Sequence, residues 1–259
     1  MIADGKTVLL TGGLGGIGRP LLQLLLAVDA EVTVVGRSCG DGNNAYRYIQ
    51  ADLGCAREVA TLCDAVRQDT PDIVINLAGL NSMSEYRNQP ASDINTILHV
   101  NLLAPMLLAQ AALGVMTDRR SGQIVNVGSV LGSIPSPLMA AYSASKAGLQ
   151  GFSQALGREV AGTGVKVTHI NPRAVRTAMN GGRLGEFNRL TRVQEDSPET
   201  VALRIFDAMV LDKKLVNIGL PEKFYSLVNS VAPIFVDDVL IANRHIGENL
   251  LHNTTGEIA

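Results

Sequence analysis

The chain has 259 residues, of which 46% are hydrophobic and 18% are charged, and its formal net charge is −2. This composition suits one packed domain and excludes a disordered chain, and the nearly balanced charge gives no reason to expect nucleic acid as a partner. Cys39, Cys55 and Cys63 are odd in number and lack close metal-ligand spacing, so we expect a reduced, cytoplasmic setting and no metal site.

Short β-branched runs alternate with helical patterns along the chain. The expected strands are 6–12, 31–37, 47–53, 72–79, 122–129, 164–172 and 215–219. Helical patterns cover 17–30, 56–67, 93–117, the stretch around Tyr142 and 198–211. Uninterrupted apolar runs are typical of strands that are covered on both faces. The pattern predicts one α/β domain over residues 1–259, with a doubly wound parallel sheet of about seven strands and helices on both faces.

No part of the sequence predicts an export signal or a membrane span. The first residues, MIADGKTVLLTGG, have no basic region ahead of an apolar stretch. The longest apolar stretch, 102–116, is shorter than a membrane span and contains Pro105 and Gln110. We therefore expect no transmembrane segment.

A glycine-rich turn, TGGLGGIG (Thr11 to Gly18), lies between the first predicted strand and the first predicted helix. Glycine permits positive φ and lets backbone amides approach a ligand closely. The N-terminal end of the following helix favours an anionic group such as a pyrophosphate. A glycine-rich turn can be only a tight turn, but its place between a strand and a helix predicts a dinucleotide site.

The segment AAYSASKAGL, residues 140–149, places Tyr142 and Lys146 one helical turn apart, on the same face of a helix. Taken alone, such a pair is typical of an ordinary helix surface. An ammonium about 4 Å from a phenol interacts with it by about 4 kcal/mol at an effective dielectric of about 20. That interaction could lower the pKa of the phenol by up to about three units and make it a usable acid–base group.

These motifs occur in an order that resembles the short-chain dehydrogenase/reductase family, from about Lys6 to Thr177 and less distinctly to Gly219. TGGLGGIG resembles the family's Thr-Gly-x-x-x-Gly-x-Gly turn, NLAG at 76–79 its Asn-Asn-Ala-Gly stretch, and NPRAVRT at 171–177 its Pro-Gly motif. Ser129 lies thirteen residues before Tyr142, as the family spaces them. The resemblance implies a Rossmann-like fold and hydride transfer between a nicotinamide cofactor and a carbonyl or secondary alcohol.

The resemblance also implies roles for individual residues. Ser129 would donate a hydrogen bond to the substrate oxygen, Tyr142 would exchange the proton, and Lys146 would assist Tyr142 and bind the nicotinamide ribose. Asn101 would anchor a water chain that reaches Lys146, although an asparagine near Pro105 could instead repair a backbone gap. The implied cofactor-binding residues are Thr11, Gly12, Leu14, Gly15, Gly16, Ile17, Gly18, Arg37, Ser38, Asp52, Leu53, Asn76, Ala78, Gly79, Tyr142, Lys146, Pro172, Val175 and Thr177.

The residues after the second strand predict the cofactor. Arg37 and Ser38 stand where an acidic residue would favour NAD, and arginine binds phosphate bidentately, so NADP(H) is favoured over NAD(H). Leu14 and Gly15 count against this preference, because NADP-preferring relatives often have hydroxyl or basic groups there. Arg173 replaces the glycine usual after the proline; it could contact a phosphate or an acidic substrate, or face solvent, and is kept out of the catalytic set.

Two further segments bear on substrate and assembly. Residues 178–197, rich in glycine and polar residues, predict a substrate lid or a disordered loop. Residues 221–250 predict a helical extension that covers the sheet edge or a second subunit, walls a lipophilic pocket, or contacts a membrane surface. We expect a homodimer or homotetramer that interconverts a carbonyl and a secondary alcohol, on a lipophilic or 3-oxoacyl-type substrate. The alternative is a catalytically silent NADP(H)-binding regulatory protein.

Overall fold

A computed structural model describes residues 5–252, apart from the side chains of residues 220 and 223. Its strands are β1 (Thr7–Thr11), β2 (Glu31–Gly36), β3 (Arg47–Gln50), β4 (Ile73–Asn76), β5 (Gly122–Val127), β6 (Val165–Asn171) and β7 (Leu215–Asn217). They form one parallel sheet in the order β3-β2-β1-β4-β5-β6-β7. The predicted fold class is confirmed.

Helices cover both faces of this sheet. They are α1 (Gly18–Leu26), α2 (Ala56–Gln68), α3 (Ala91–Leu98), α4 (Ala104–Asp118), α5 (Ala140–Glu159), α6 (Gly182–Leu190), α7 (Pro198–Val210), α8 (Leu220–Val231) and α9 (Ile234–His252). Helices α1 and α7 pack against each other, and so do α2 and α4. Each pair supplies leucine and other aliphatic side chains to a separate buried cluster, so the sheet lies between two apolar layers.

The strand order reverses between β1 and β4, because the chain builds outwards to β3 and then returns to the other side of β1. In parallel sheets of this kind, the loops that leave neighbouring strands diverge at such a point and open a crevice at their carboxyl ends. The loops after β1, β4, β5 and β6 all start at this edge. The topology therefore brings the predicted motifs together.

Most predicted elements extend beyond their bounds in the structure, and two of the differences have a clear physical form. The strand predicted over 72–79 ends at Asn76, because the backbone amides of Leu77 and Ala78 donate to the Thr11 hydroxyl, each at 3.1 Å, instead of to a neighbouring strand. The helix predicted over 93–117 is divided by a π-helical turn, His99–Leu103, between α3 and α4.

The run Ala91–Asp118, which contains α3, this turn and α4, is by length and composition apolar enough to cross a membrane. An 18-residue window of this run has a mean hydropathy of 1.6, and half of that window is buried inside the protein. The segments Phe224–Val231 and Ile234–His252 pass the same test only together, and they are bent by 111°.

Helices α8 and α9 leave large apolar side chains in solvent. Phe224, Leu227, Val231, Ile234 and Phe235 are between 63% and 78% exposed, and we call these five residues the C-terminal apolar patch. The opposite side of α9 is packed, because a Cβ placed on Gly247 would lie 2.3 Å from Leu138 and 3.2 Å from Phe187 of α6. The extension thus covers α6 with one side only.

Candidate active site

A cavity of about 440 Å³ opens at the carboxyl edge of the sheet. Its wall includes backbone from the turn after β1 and side chains from β2, α5 and the loop after β6. Most of the predicted site residues line it: Gly12, Gly15, Gly16, Ile17, Gly18, Arg37, Asp52, Leu53, Ala78, Gly79, Ser129, Tyr142, Lys146, Pro172, Val175 and Thr177. The structure therefore groups residues that are far apart in the sequence.

The turn after β1 is close-packed backbone. Gly12 has φ of +72°, in the left-handed region. A Cβ on Gly18 would lie 2.1 Å from the Gly12 carbonyl oxygen, and one on Gly16 would lie 2.5 Å from Thr177 Cγ2. Only glycine fits these positions, and the N-terminal end of α1 is thereby open to an anion in the cavity.

Five predicted site residues lie outside the cavity wall: Thr11, Leu14, Ser38, Asn76 and Asn101. Thr11 is 1% exposed and its hydroxyl joins the ends of β1 and β4. Asn76 is equally buried and donates from Nδ2 to Asn126 Oδ1 at 2.8 Å. Leu14 packs on the core at α1 and α7, and Ser38 is exposed beyond β2. Thr11 and Asn76 thus make structural hydrogen bonds, and their contact with a cofactor stays a prediction.

The nucleotide end of the cavity is formed by Arg37 and Asp52. Arg37 is exposed at the end of β2, and within residues 5–252 no acidic side chain forms an ion pair with it. The nearby Asp41 carboxylate pairs with Arg19 at 3.5 Å and accepts a hydrogen bond from the Tyr46 hydroxyl. The Arg37 guanidinium is therefore available to an anionic ligand.

The predicted catalytic residues Ser129, Tyr142 and Lys146 line the other end of the cavity, which we call the catalytic end after that prediction. Tyr142 and Lys146 lie one turn apart on α5, with Lys146 Nζ 5.9 Å from the centroid of the Tyr142 ring. Lys146 is 4% exposed, and its Nζ donates to the Val127 carbonyl at 3.0 Å. Ser129 follows β5, and its Oγ accepts from the Leu131 amide at 3.2 Å, so its proton can be donated to an oxygen beside Tyr142.

The pKa shifts differ from the sequence-based expectation. Burial raises the pKa of Tyr142 above its usual value, and a hydrogen bond with Ser129 opposes this rise. Burial also lowers the pKa of Lys146 to about 8. The expected lowering of the Tyr142 pKa by Lys146 is not found: burial dominates the shift, and the Lys146 ammonium donates to the Val127 carbonyl. Tyr142 is a protonated acid at neutral pH, as an ordinary tyrosine is.

Asn101 lies in the π-helical turn and is fully buried. Its Oδ1 accepts from the Leu80 amide and its Nδ2 donates to the Leu80 carbonyl, both at 2.8 Å, while Nδ2 also donates to Ser145 Oγ at 3.0 Å. A Cβ on Gly79 would lie 3.3 Å from Asn101 Oδ1 and 3.5 Å from Lys146 Nζ. Asn101 thus holds the loop after β4 against α5, next to Lys146.

Arg173 also lines the cavity, although the sequence left its role open. Its Nη2 and Nε donate to the two carboxylate oxygens of Asp196, at 2.7 and 2.9 Å, and its Nη1 lies 3.6 Å from Glu222. The guanidinium is only 18% exposed, so it neither faces solvent nor is free to bind an anion. The replacement of a usual glycine was the sequence signal, but Asp196 lies too far along the chain for spacing to reveal the pair.

Apolar wall residues were not predicted either. They include Leu80, Val100 and Met179. These residues lie next to predicted motifs, but no sequence motif includes them, so no pattern in the sequence indicated them. Within the described part of the chain, no group of three or more His, Cys, Asp or Glu side chains could hold a metal ion.

The chain is similar in sequence and in structure to known dehydrogenases and reductases. The family model for short chain dehydrogenases matches residues 6–185. A short chain dehydrogenase of Pseudocercospora fijiensis is 32% identical over 68% of this chain and 62% of its own length, and the 3-oxoacyl-[acyl-carrier-protein] reductase of Salmonella typhimurium is 31% identical over 69% and 77%. A short-chain dehydrogenase of Sphingobium yanoikuyae, solved with NADPH, is 25% identical, covers 90% of this chain and 95% of its own, and superposes with a TM-score of 0.77.

Proposed function

The chain belongs to the short-chain dehydrogenase family and is an oxidoreductase of that family, and we propose that it reduces a lipophilic ketone with NADPH. One observation carries the proposal. Ser129, Tyr142 and Lys146 line one end of the cavity, and the glycine turn and Arg37, which has no ion-pair partner among residues 5–252, line its other end. A hydroxyl donor, a protonated phenol and an ammonium suit a carbonyl that becomes an alcohol.

The cavity fits a nicotinamide dinucleotide in its chemistry. Close-packed glycines leave backbone amides open to a pyrophosphate, Asp52 lies where adenine would bind, and Arg37 offers a cation to a 2′-phosphate. Tyr142 and Lys146 would hold the nicotinamide ribose. When bound, the cofactor supplies or accepts the hydride. The NADPH complex of the Sphingobium relative supports the choice of NADP(H) over NAD(H).

The side chains of this chain then handle the proton. Ser129 donates to the carbonyl oxygen as negative charge develops there, and Tyr142 delivers its proton to the same oxygen. A phenol is protonated at neutral pH at its ordinary pKa, and burial, which raises the pKa of Tyr142, keeps it so, so Tyr142 can donate a proton when a carbonyl is reduced. Lys146 does not transfer the proton itself. Its ammonium lies beside the Tyr142 ring, and Asn101 fixes the loop at Leu80 close to this ammonium.

The cavity wall favours a lipophilic or 3-oxoacyl-type substrate. Leu80 and Met179 contribute apolar surface, and the Arg173 charge is neutralised by Asp196 and Glu222. The Arg173 guanidinium is therefore not available to pair with a free carboxylate on the substrate. The relationship to a 3-oxoacyl-[acyl-carrier-protein] reductase agrees with this substrate class.

The experiment is a reduction assay with NADPH and with NADH. The panel contains acetoacetyl-coenzyme A, an aryl ketone, an aliphatic ketone and a ketose sugar, and the Tyr142→Phe variant is the control. We expect turnover of at least one of the first three with NADPH and its loss in the variant. Turnover of the sugar alone would refute the substrate class. NADPH binding without any turnover would favour the alternative, a regulatory protein without activity.

We also propose a cytoplasmic homo-oligomer. Cys39, Cys55 and Cys63 are all free thiols, as in a reducing compartment.

The family resemblance points to pairing of subunits through α4 and through α5, which is a helix with many small residues. Light scattering at several protein concentrations tests the oligomer, and a monomer throughout would refute it. Flotation with neutral lipid vesicles would reveal membrane contact through the C-terminal apolar patch.

A further inference from the structure

Behind Ser129 lies a group of buried polar side chains that the proposed mechanism does not use. His169 and Asn171 are two residues apart on β6, so their side chains lie on the same face of the strand. They are 1% and 0% exposed, and neither lines the cavity. Burial of such polar groups is tolerated only when their hydrogen bonds are made, so the partners of these two residues indicate what they do.

Asn171 joins Ser129 to His169. Its Oδ1 accepts from the Ser129 backbone amide at 3.1 Å and lies 2.9 Å from His169 Nε2. Its Nδ2 donates to Gln150 Oε1 at 2.7 Å and to Asn217 Oδ1 at 2.9 Å. Because both amide hydrogens are used, the Asn171 carboxamide has one orientation, with its oxygen towards Ser129.

The protonation of His169 follows from these partners. Asn171 Oδ1 can only accept, so His169 Nε2 must carry a proton. Burial, with the Lys146 ammonium acting in the same direction, lowers the pKa of His169 to about 4, and the ring is neutral at pH 7. His169 Nδ1 is then an acceptor, and the Ser153 hydroxyl lies 3.0 Å from it. The Ser153 hydroxyl also lies 2.7 Å from the Leu149 carbonyl, so its single proton goes either to that carbonyl or to His169 Nδ1. The donor that reaches Asn171 is His169 Nε2.

The backbone from Gly128 to Val130 is held by three hydrogen bonds to β6 and the residue after it, and the Ser129 amide to Asn171 Oδ1 is the middle one. The Gly128 amide donates to the Ile170 carbonyl at 2.7 Å, and the Val130 amide donates to the Pro172 carbonyl at 2.9 Å. The side chain of Asn171 holds the amide between them. A Cβ on Gly128 would lie 2.4 Å from Asn171 Oδ1 and 2.5 Å from His169 Nε2, so this pair packs directly against the backbone that precedes Ser129.

We propose that His169 and Asn171 are positioning residues that hold the Ser129 hydroxyl in its orientation towards the substrate oxygen, with His169 acting through Asn171. The proposal rests on the proposed function, since Ser129 acts in that reaction. Its consequence is specific. Loss of the His169 donor should impair the chemical step and leave cofactor affinity unchanged, because His169 does not touch the cavity.

The first test compares His169→Leu with His169→Gln, in which the amide nitrogen retains a donor near the position of Nε2. With NADPH and acetoacetyl-coenzyme A, we expect the leucine variant to lose about 10- to 100-fold in kcat, as small displacements of catalytic groups do. The glutamine variant should recover most of this loss, and the Kd of NADPH should be unchanged in both. Equal losses in the two variants would overturn the proposal.

A double-mutant cycle separates positioning from general destabilisation. If His169 acts through the Ser129 hydroxyl, then His169→Leu should have almost no further effect on kcat in a Ser129→Ala background. Independent, multiplicative losses would overturn the proposal.

Two measurements do not require turnover, so they distinguish failure of this proposal from failure of the proposed function. Ultraviolet titration against Tyr142→Phe should show a higher pKa for Tyr142 in His169→Leu than in the wild type, because Ser129 normally lowers it. An unchanged value contradicts the proposal. If that variant does not fold, nitrogen NMR of wild-type protein with labelled histidine should show neutral His169 with its proton on Nε2, and the opposite tautomer would overturn the proposal.

Discussion

The two ends of the cavity are built in different ways. At the catalytic end, Asn101, Ser129 and Lys146 are each buried. Asn101 and Lys146 make hydrogen bonds with backbone groups of neighbouring elements, and the Ser129 amide donates to the Asn171 side chain. At the nucleotide end, the glycine turn contributes only backbone, and Arg37 extends into solvent with no ion-pair partner in the described residues.

The difference follows from what each end must do. Proton transfer needs its groups within a fraction of an ångström of their working positions, and only packed, hydrogen-bonded side chains achieve this. A phosphate needs charge and open amide groups, which tolerate exposure and movement. Substitutions at the catalytic end should therefore change kcat, and those at the nucleotide end should change cofactor affinity.

The largest expected effect comes from Tyr142→Phe, which removes the proton donor and keeps the ring. General acid catalysis contributes typically 10²- to 10⁴-fold, so kcat should fall by about 10³-fold. The Kd of NADPH, measured by fluorescence, should stay within about threefold, because hydrogen bonds of this kind contribute modestly to binding. A comparable loss of cofactor affinity would show that the two ends are not separable.

The free energy of unfolding should depend on pH through His169, which lies behind the catalytic end. The pKa of His169 is about 4 in the folded chain and about 6.5 when exposed. The unfolded chain therefore binds the additional proton first, and stability falls as pH falls from about 6.5 to about 4, by about 3 kcal/mol. Urea unfolding at several pH values measures this loss. The loss should be absent from His169→Gln, and a pH-dependent loss of the same size in that variant would exclude His169 as its source.

At the nucleotide end, Arg37→Ser should weaken the binding of NADPH and leave the binding of NADH unchanged. A charge-assisted hydrogen bond contributes about 1.5–3 kcal/mol, so the Kd of NADPH should rise about 10- to 100-fold. The exposed Arg204→Ser on α7 provides a matched control that removes the same charge. If the binding of NADH weakens as much as the binding of NADPH, then Arg37 contacts a part of the molecule that both cofactors share.

A smaller effect is expected where the loop after β6 is tied down. Asp196→Asn removes the carboxylate that Arg173 binds bidentately, although Glu222 remains as a partner. We expect a loss of about 1–2 kcal/mol in the free energy of unfolding, measured in urea. Glu186→Gln breaks the exposed Arg189 pair instead and should cost less than about 0.5 kcal/mol. Equal costs would mean that burial of the Arg173 pair gives it no advantage.

Local patterns in the sequence were sufficient to predict much of the fold. The predicted helix and strand at 198–211 and 215–219 correspond to α7 and β7, and the one-turn spacing of Tyr142 and Lys146 is found on α5. Such features depend on neighbouring residues, on apolar runs and on helical periodicity. Their bounds were less accurate at β4, where the Thr11 side chain ends the strand from 66 residues away.

The remaining features depend on contacts between distant parts of the chain. The Arg173–Asp196 pair and the Asn171–Ser129 hydrogen bond join residues that are 23 and 42 positions apart. The sign of the Tyr142 pKa shift was also beyond the sequence, because it depends on how deeply the phenol is buried. Helical spacing predicted that Lys146 would be near, but not that its ammonium would donate to a carbonyl.

The π-helical turn at His99–Leu103 has a consequence for the length of the chain. A π turn contains one residue more than an α-helical turn, and each residue rotates the helix by about 100°. A deletion of one residue here would let the two helices join smoothly, but either Asn101 would turn away from Leu80 or α4 would present a different face to α2. We therefore expect this run of five residues to accept substitutions on its outer side far more readily than any change in its number.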